Sequence, residues 1–198
     1  MPHLECRSAV FGQQRTVTYQ VEIWKFISRI NSTKCNTTAS LLLAVKGADT
    51  AVATSFAIFD NEGLRTRVNV LSSAGVSCFQ DVRFVSHLVF IGCGQYVFIL
   101  DMKAGAVVSH RLDGYFGHMY DGGDFENLPT KFSVLVTSAS EALAFSRTGE
   151  LLWVRKNLGI DGVLLHAADS TQFDGEGDWD PLDGWRKFSV SMDSGTVL

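Results

Sequence analysis

FSRTGELLW, residues 145–153, joins two apolar segments of strand type through a polar turn that closes at Gly149. The pattern returns as IFDNEGLRTRV at 58–68, ILDMKAGAVV at 99–108 and VSMDSGTVL at 190–198. The turn glycines Gly63, Gly105, Gly149 and Gly195 recur at intervals of 42, 44 and 46 residues. Asp, Asn and Ser hold such turns through side-chain bonds to nearby backbone, and Gly takes positive φ without a steric penalty. A strand-rich repeat of this period, with no helical segment in it, is the sequence pattern of a β-propeller blade. The expected fold is therefore all-β, a small propeller-like array of about four four-stranded units. A β-sandwich, which uses the same hairpin turns, is the alternative.

Working outward, the repeat divides a single domain, 1–198, into units of about 16–70, 76–112, 115–156 and 163–198. The first opens with TVTYQVEIW at 16–24, which alternates apolar and polar residues as a half-buried strand does. SLLLAVKG at 40–47, TSFAIFD at 54–60 and LRTRVNV at 64–70 complete it. The second holds FQDVRFV, HLVFIGC, YVFILD and AVVSHRL between 79 and 112. Its GCGQ connection at 92–95 is a hairpin; a dinucleotide fingerprint would need a third glycine and a following helix. The third runs from YFGHMY at 115–120 through an acidic loop at 121–129 to FSVLVTSA, ALAFS and ELLWVRK. VLLHA, TQFDGEGDW, WRKFSVSM and a terminal TVL make the fourth. The chain stops where the fourth outer strand should stop, so a complete domain is expected.

Composition narrows the function classes. Of 198 residues, 46% are hydrophobic and 19% charged, which is globular rather than disordered. The net charge of −4 carries no general nucleic-acid footprint. Residues 1–67 have eight Lys/Arg against five Asp/Glu, whereas 161–198 have two against eight, giving −6. The acidic end is either a solvated edge or a face for a cationic partner. Cys6, Cys35, Cys78 and Cys93 form no C-x-x-C pair, and MPHLECRSAV has no signal-peptide pattern. Four reduced thiols in a cytoplasmic protein are expected, and without secretion the sequons at Asn31 and Asn36 mean little. No apolar run reaches the roughly 20 residues of a spanning helix, so no membrane association is expected.

In a four-strand unit numbered outward from the axis, the connections alternate between two rims. The glycine turns share one rim. Opposite lie Leu112–Gly114, Gly159–Gly162, the 92–95 hairpin, Ser140–Glu141 and the loop Asp180–Trp185. Asp113-Gly114 precedes His118 at the same offset at which Asp161-Gly162 precedes His166, and Phe79 holds that place after Ala74-Gly75. A histidine pair could hold a metal or move protons; equally, each could lock neighbouring turns. Asp113, Tyr115, His118, Asp161, His166, Asp180, Asp183 and Trp185 are the candidate ligand- or partner-binding residues. Asp174, Glu176 and Asp178 alternate on one strand face and are the weak metal candidates, a divalent cation being the one cofactor this chemistry would admit. An EF-hand needs glycine where Trp179 stands. No G-x-S-x-G, H-E-x-x-H or Walker A motif is present, and no catalytic residue is nominated. Cys93, between two glycines, reads as an inert buried thiol rather than a nucleophile. Most of the tryptophans read as packing; Trp185, with Tyr115, adjoins the second rim.

LDGYFGHMY at 112–120, GELLWVRKNLGIDGVLLH at 149–166 and GEGDWDPLDGWRKFSVSMDSG at 175–195 resemble a group of uncharacterised bacterial proteins with propeller-like repeats. The likeness lies mainly in residues 82–198. The turn pattern also resembles PQQ-type and WD-type repeats, without the Gly-His opening or Trp-Asp close of a full WD signature. The resemblance implies a repeat fold and no activity. The expectation is a non-catalytic protein-binding module, with a small-ligand or divalent-metal-binding propeller, an enzyme included, as the alternative.

Overall fold

Strands account for all the regular structure among the described residues of the computed structural model, which are 20–25, 39–44, 51–60, 63–73, 79–180 and 184–198. The stretches 1–19, 26–38, 45–50, 61–62, 74–78 and 181–183 lie outside them. So do the start of the first predicted strand, the two sequons, Cys6, Cys35, Cys78 and Asp183. The chain forms two compact units, Met1–Ala74 and Gly75–Leu198.

The first unit holds sheet I, with β1 (Gln20–Lys25), β2 (Ala39–Ala44), β3 (Ala51–Asp60) and β4 (Gly63–Ser73) in the order β1-β3-β4-β2. Four strands are where the apolar runs put them, but the order departs from the sequential arrangement of a blade. β2 runs parallel to β4, whereas the other pairs are antiparallel. The long β3–β4 hairpin takes the centre, with Phe56, Ile58, Val68 and Val70 fully buried. The six-residue strands β1 and β2 take the edges.

The second unit is three antiparallel sheets, each laid down in chain order. Sheet II is β5 (Gln80–Val85), β6 (Leu88–Cys93), β7 (Tyr96–Asp101) and β8 (Ala106–Arg111). Sheet III is β9 (Phe116–Tyr120), β10 (Phe132–Ser138), β11 (Ala142–Ser146) and β12 (Leu151–Arg155). Sheet IV is β13 (Val163–Ala168), β14 (Gln172–Asp178) and β15 (Trp185–Ser191). The terminal TVL adds only a bridge from Val197 to Val190, so sheet IV has three strands where four are expected. The first strands neighbour one another, β9 touching both β5 and β13. No described sheet closes on itself.

The turns behave as their residues require. Gly105, Gly149 and Gly195 all have positive φ, at 66°, 81° and 69°. The Asp101 carboxylate accepts the N–H groups of Lys103 and Ala104, and Ser146 Oγ accepts those of Thr148 and Glu150.

Alternation along sheet III divides the core into two seams. Val134, Val136, Leu143 and Phe145, with Phe116 of β9, face sheet II, joining Leu88, Phe90, Val97 and Ile99. Leu135, Ala142 and Ala144 face the other way, joining Val163, Leu165, Phe173 and Val190 of sheet IV. With neighbours on both faces, β10 is buried at every residue, and its centre, Val134, Leu135 and Val136, is apolar toward both. Ring contacts mark each seam: Phe90 meets Phe145 edge-on at 5.7 Å, and Trp153 stacks on Phe173 at 5.6 Å.

Candidate functional site

The connections that leave each outer strand are built alike. After β8, Leu112 N–H donates to Gln95 O and Phe116 N–H to Gly94 O. After β12, Leu158 N–H donates to Ser140 O and Gly162 N–H to Ala139 O. Each linker is thus fastened to the middle hairpin of the sheet it leaves. Each also reaches forward: Ala139 N–H donates to Tyr115 O, and Ile160 N–H donates to Asp178 O at 2.7 Å. These bonds satisfy backbone groups that a linker over apolar sheet ends would otherwise bury unpaired. They also gather onto one rim of the second unit the loops predicted to share one, as far as these are described.

An exposed apolar row runs along that rim. Phe79 is 43% exposed and stacks on Tyr115 at 6.3 Å between centroids. The Tyr115 hydroxyl donates to the carbonyl and the carboxylate of Asp161, the latter at 3.0 Å. Next come Ile160, 53% exposed, and Trp185, 46% exposed, whose ring lies 3.2 Å from where a Cβ on Gly162 would stand. His118 faces Phe79 at 5.6 Å and Tyr120 at 6.2 Å. Tyr115, His118, Asp161 and Trp185 therefore come together, with Phe79 and Ile160, which the sequence reading did not nominate. Phe79 occupied the histidines' place in the echo, and that was its signal.

The remaining candidates lie outside that row. His166, on β13, pairs with Glu176 Oε1 at 3.2 Å instead of joining His118. Asp174 accepts from Ser189 Oγ at 2.6 Å and from the Gln172 amide at 3.2 Å. Along β14 the carboxylates do share one face, with Phe173, Gly175 and Gly177 buried on the other. Trp179 is half-buried with the Arg186 guanidinium 5.5 Å from its ring centroid. Among the described residues, no three His, Cys, Asp or Glu side chains converge as metal ligands would. Asp180, exposed at the rim, accepts Gly184 N–H at 2.6 Å.

Outward from Asp113 the rim opens into a groove of about 510 Å³ between the outer strands of sheets II and III. Leu112, Leu143, Leu151 and Val154 line it, with His110, Arg111, Glu141 and Lys156. Glu141 is only 2% exposed, and its Oε1 accepts Asp113 N–H at 2.6 Å. Burial holds the Glu141 carboxyl above the usual range, against the pull of that N–H and of Lys156. Burial also lowers His110, whose ring meets Phe145 at 5.1 Å. Lys156 Nζ lies 3.8 Å from the Asp113 carboxylate. Sequence reading placed Glu141 on this rim but missed the groove, because β8 and β12 carry no motif that marks their packing. The Cys93 thiol is buried and pushed up to about 12, as an unreactive thiol should be.

No family model matches the chain, and no curated protein does. Among the described residues no helix is long and apolar enough to cross a membrane.

Proposed function

We propose that this chain is a non-catalytic β-repeat module that binds another protein through the rim of its second unit, whose sheets are set as blades around an axis. Three features of the second unit support a blade-like layout. Its first strands neighbour one another, each linker bonds the hairpin behind it, and each sheet packs face to face on the next. The observation that carries the binding reading is the row of exposed Phe79, Ile160 and Trp185 joined through half-buried Tyr115. Aromatic side chains at a solvent-facing rim are what the energetic centres of protein interfaces are made of. The backbone bonds beneath them fix the row before a partner arrives, which lowers the ordering cost of association. A reducing cytoplasm suits the free thiol of Cys93.

Affinity capture from cell lysate tests the reading, comparing the wild-type chain with Trp185→Ser combined with Ile160→Ser. Selective retention of a partner by the wild type, lost in the variant at unchanged melting temperature, is expected. An empty capture at low salt, or retention indifferent to both substitutions, overturns it.

The groove favours a second reading, a small-ligand pocket with Glu141 at its buried end. Its volume is in the range of ligand sites and its lining mixes apolar walls with a few polar groups. A thermal-shift screen of small metabolites and divalent ions on wild type and Glu141→Gln separates this reading from the first. A ligand that stabilises only the wild type supports the pocket; a flat screen removes it.

A further inference from the structure

If the rim binds a protein, as proposed above, its charges constrain the chemistry of that partner. Trp185 begins β15 directly opposite Asp178 on β14. Its ring lies over Gly162, the residue after Asp161. The Asp161 carboxylate is held in place by the Tyr115 hydroxyl. Asp178 shares its strand face with Asp174 and Glu176, which are already engaged by Ser189 and His166. A half-exposed indole thus starts opposite Asp178 and reaches over the residue next to Asp161, in a stretch, 161–198, whose formal charge is −6.

We propose that Trp185, with Asp178 opposite it on β14 and Asp161 beside the Gly162 that its ring covers, seats an arginine or lysine side chain of the partner protein. An uncharged apolar partner covering this place would strip water from two carboxylates and return nothing. An acidic one would be repelled. A guanidinium or ammonium lies favourably on an indole face while its N–H groups meet the carboxylates, and its alkyl stem covers the rest of the ring. The same chemistry is realised within the chain close by, where Arg186 sits over Trp179.

The test uses the whole chain and short fluorescein-labelled probe peptides with alternating glycine: arginine-, lysine-, glutamate- and serine-containing. Anisotropy at low salt should show binding of the arginine and lysine probes and none of the other two. Trp185→Leu should raise the Kd for the arginine probe by about tenfold, the loss of one desolvated cation–π contact. Asp161→Asn combined with Asp178→Asn, which removes charge but little volume, should do the same and flatten the salt dependence. Asp174→Asn combined with Glu176→Gln should leave binding unchanged. Absence of cationic binding, equal binding of the serine probe, or equal loss in the Asp174/Glu176 variant overturns the inference. If capture from lysate still depends on Trp185 when the cationic probes fail, the rim reading stands and only this one falls.

Discussion

At the scale of single residues, the molecule shows why some positions tolerate no side chain. A Cβ on Gly177 would stand 1.7 Å from Leu158 O, a backbone atom of the linker that crosses the end of sheet IV. Neither strand nor linker can retreat without losing the Ile160-to-Asp178 bond. Gly177→Ala should therefore cost about 3 kcal/mol or more, read as a fall in the denaturation midpoint. Glu141 is a different case, since its environment sets a pH dependence. Its folded pKa lies above its ordinary value of 4.5. The unfolded chain therefore releases this proton first as pH rises. Between the two values the folded state binds more protons, so Glu141 favours folding below about 4.5 and progressively loses that contribution above it. In Glu141→Gln an amide oxygen still accepts Asp113 N–H. The stability of the variant relative to wild type should rise as pH goes from acid to neutral, and urea titrations across that range would show it. A difference independent of pH would place the carboxylate in a wetter setting than its burial implies.

At the scale of elements, the strands of sheets II and III lie within a residue or two of where the sequence puts them. Their boundaries are written in turn chemistry, and a glycine at positive φ in the same turn as an Asp or Ser that accepts backbone N–H groups is a local signal. Sheet I could not be read the same way. Its strands are legible, but the choice of β2 to lie parallel along β4 depends on long-range pairing that leaves no local mark. The candidate site divides similarly. The rim followed from strand count, whereas the parting of His118 from His166 goes with register shifts at both positions that leave no local mark. The acidic loop after β9 is an element whose order has an identifiable cause. Arg83 of β5 donates to Met119 O at 3.1 Å and lies 3.9 Å from Asp121 and 3.6 Å from Asp124. It also bonds Asp81, whose pKa burial raises even against that cation. Arg83→Met should release the loop and leave Asp81 half-buried without its cation, a loss of about 1–2 kcal/mol for a partly exposed cluster. Cleavage by an Asp-directed protease at Asp121 and Asp124 should quicken in the variant. An unchanged rate would show that the loop is held by Phe125, buried against Tyr120.

At the scale of the whole second unit, sheet III is common property. Its one face completes the seam with sheet II and its other face the seam with sheet IV, so neither seam can open without exposing the middle sheet. Cooperative unfolding follows from that sharing, because β10 is buried by both neighbours at once. Phe145 is fully buried in the seam toward sheet II, and Phe145→Ala should cost about 3–5 kcal/mol. Trp153 lies in the other seam, stacked on Phe173 with its Nε1–H donated to Met192 O at 2.9 Å. It therefore reports on contacts that Phe145 does not make. In a background where Trp24, Trp179 and Trp185 are replaced by Phe, Trp153 emission follows the second seam alone. If the three sheets unfold as one body, Phe145→Ala should move the Trp153 transition by the full amount seen by far-ultraviolet circular dichroism. An unmoved Trp153 transition would mean that sheet IV and half of sheet III melt without sheet II. The rim, whose linkers span all three sheets, would then not be a fixed surface, and a partner would have to assemble it on binding.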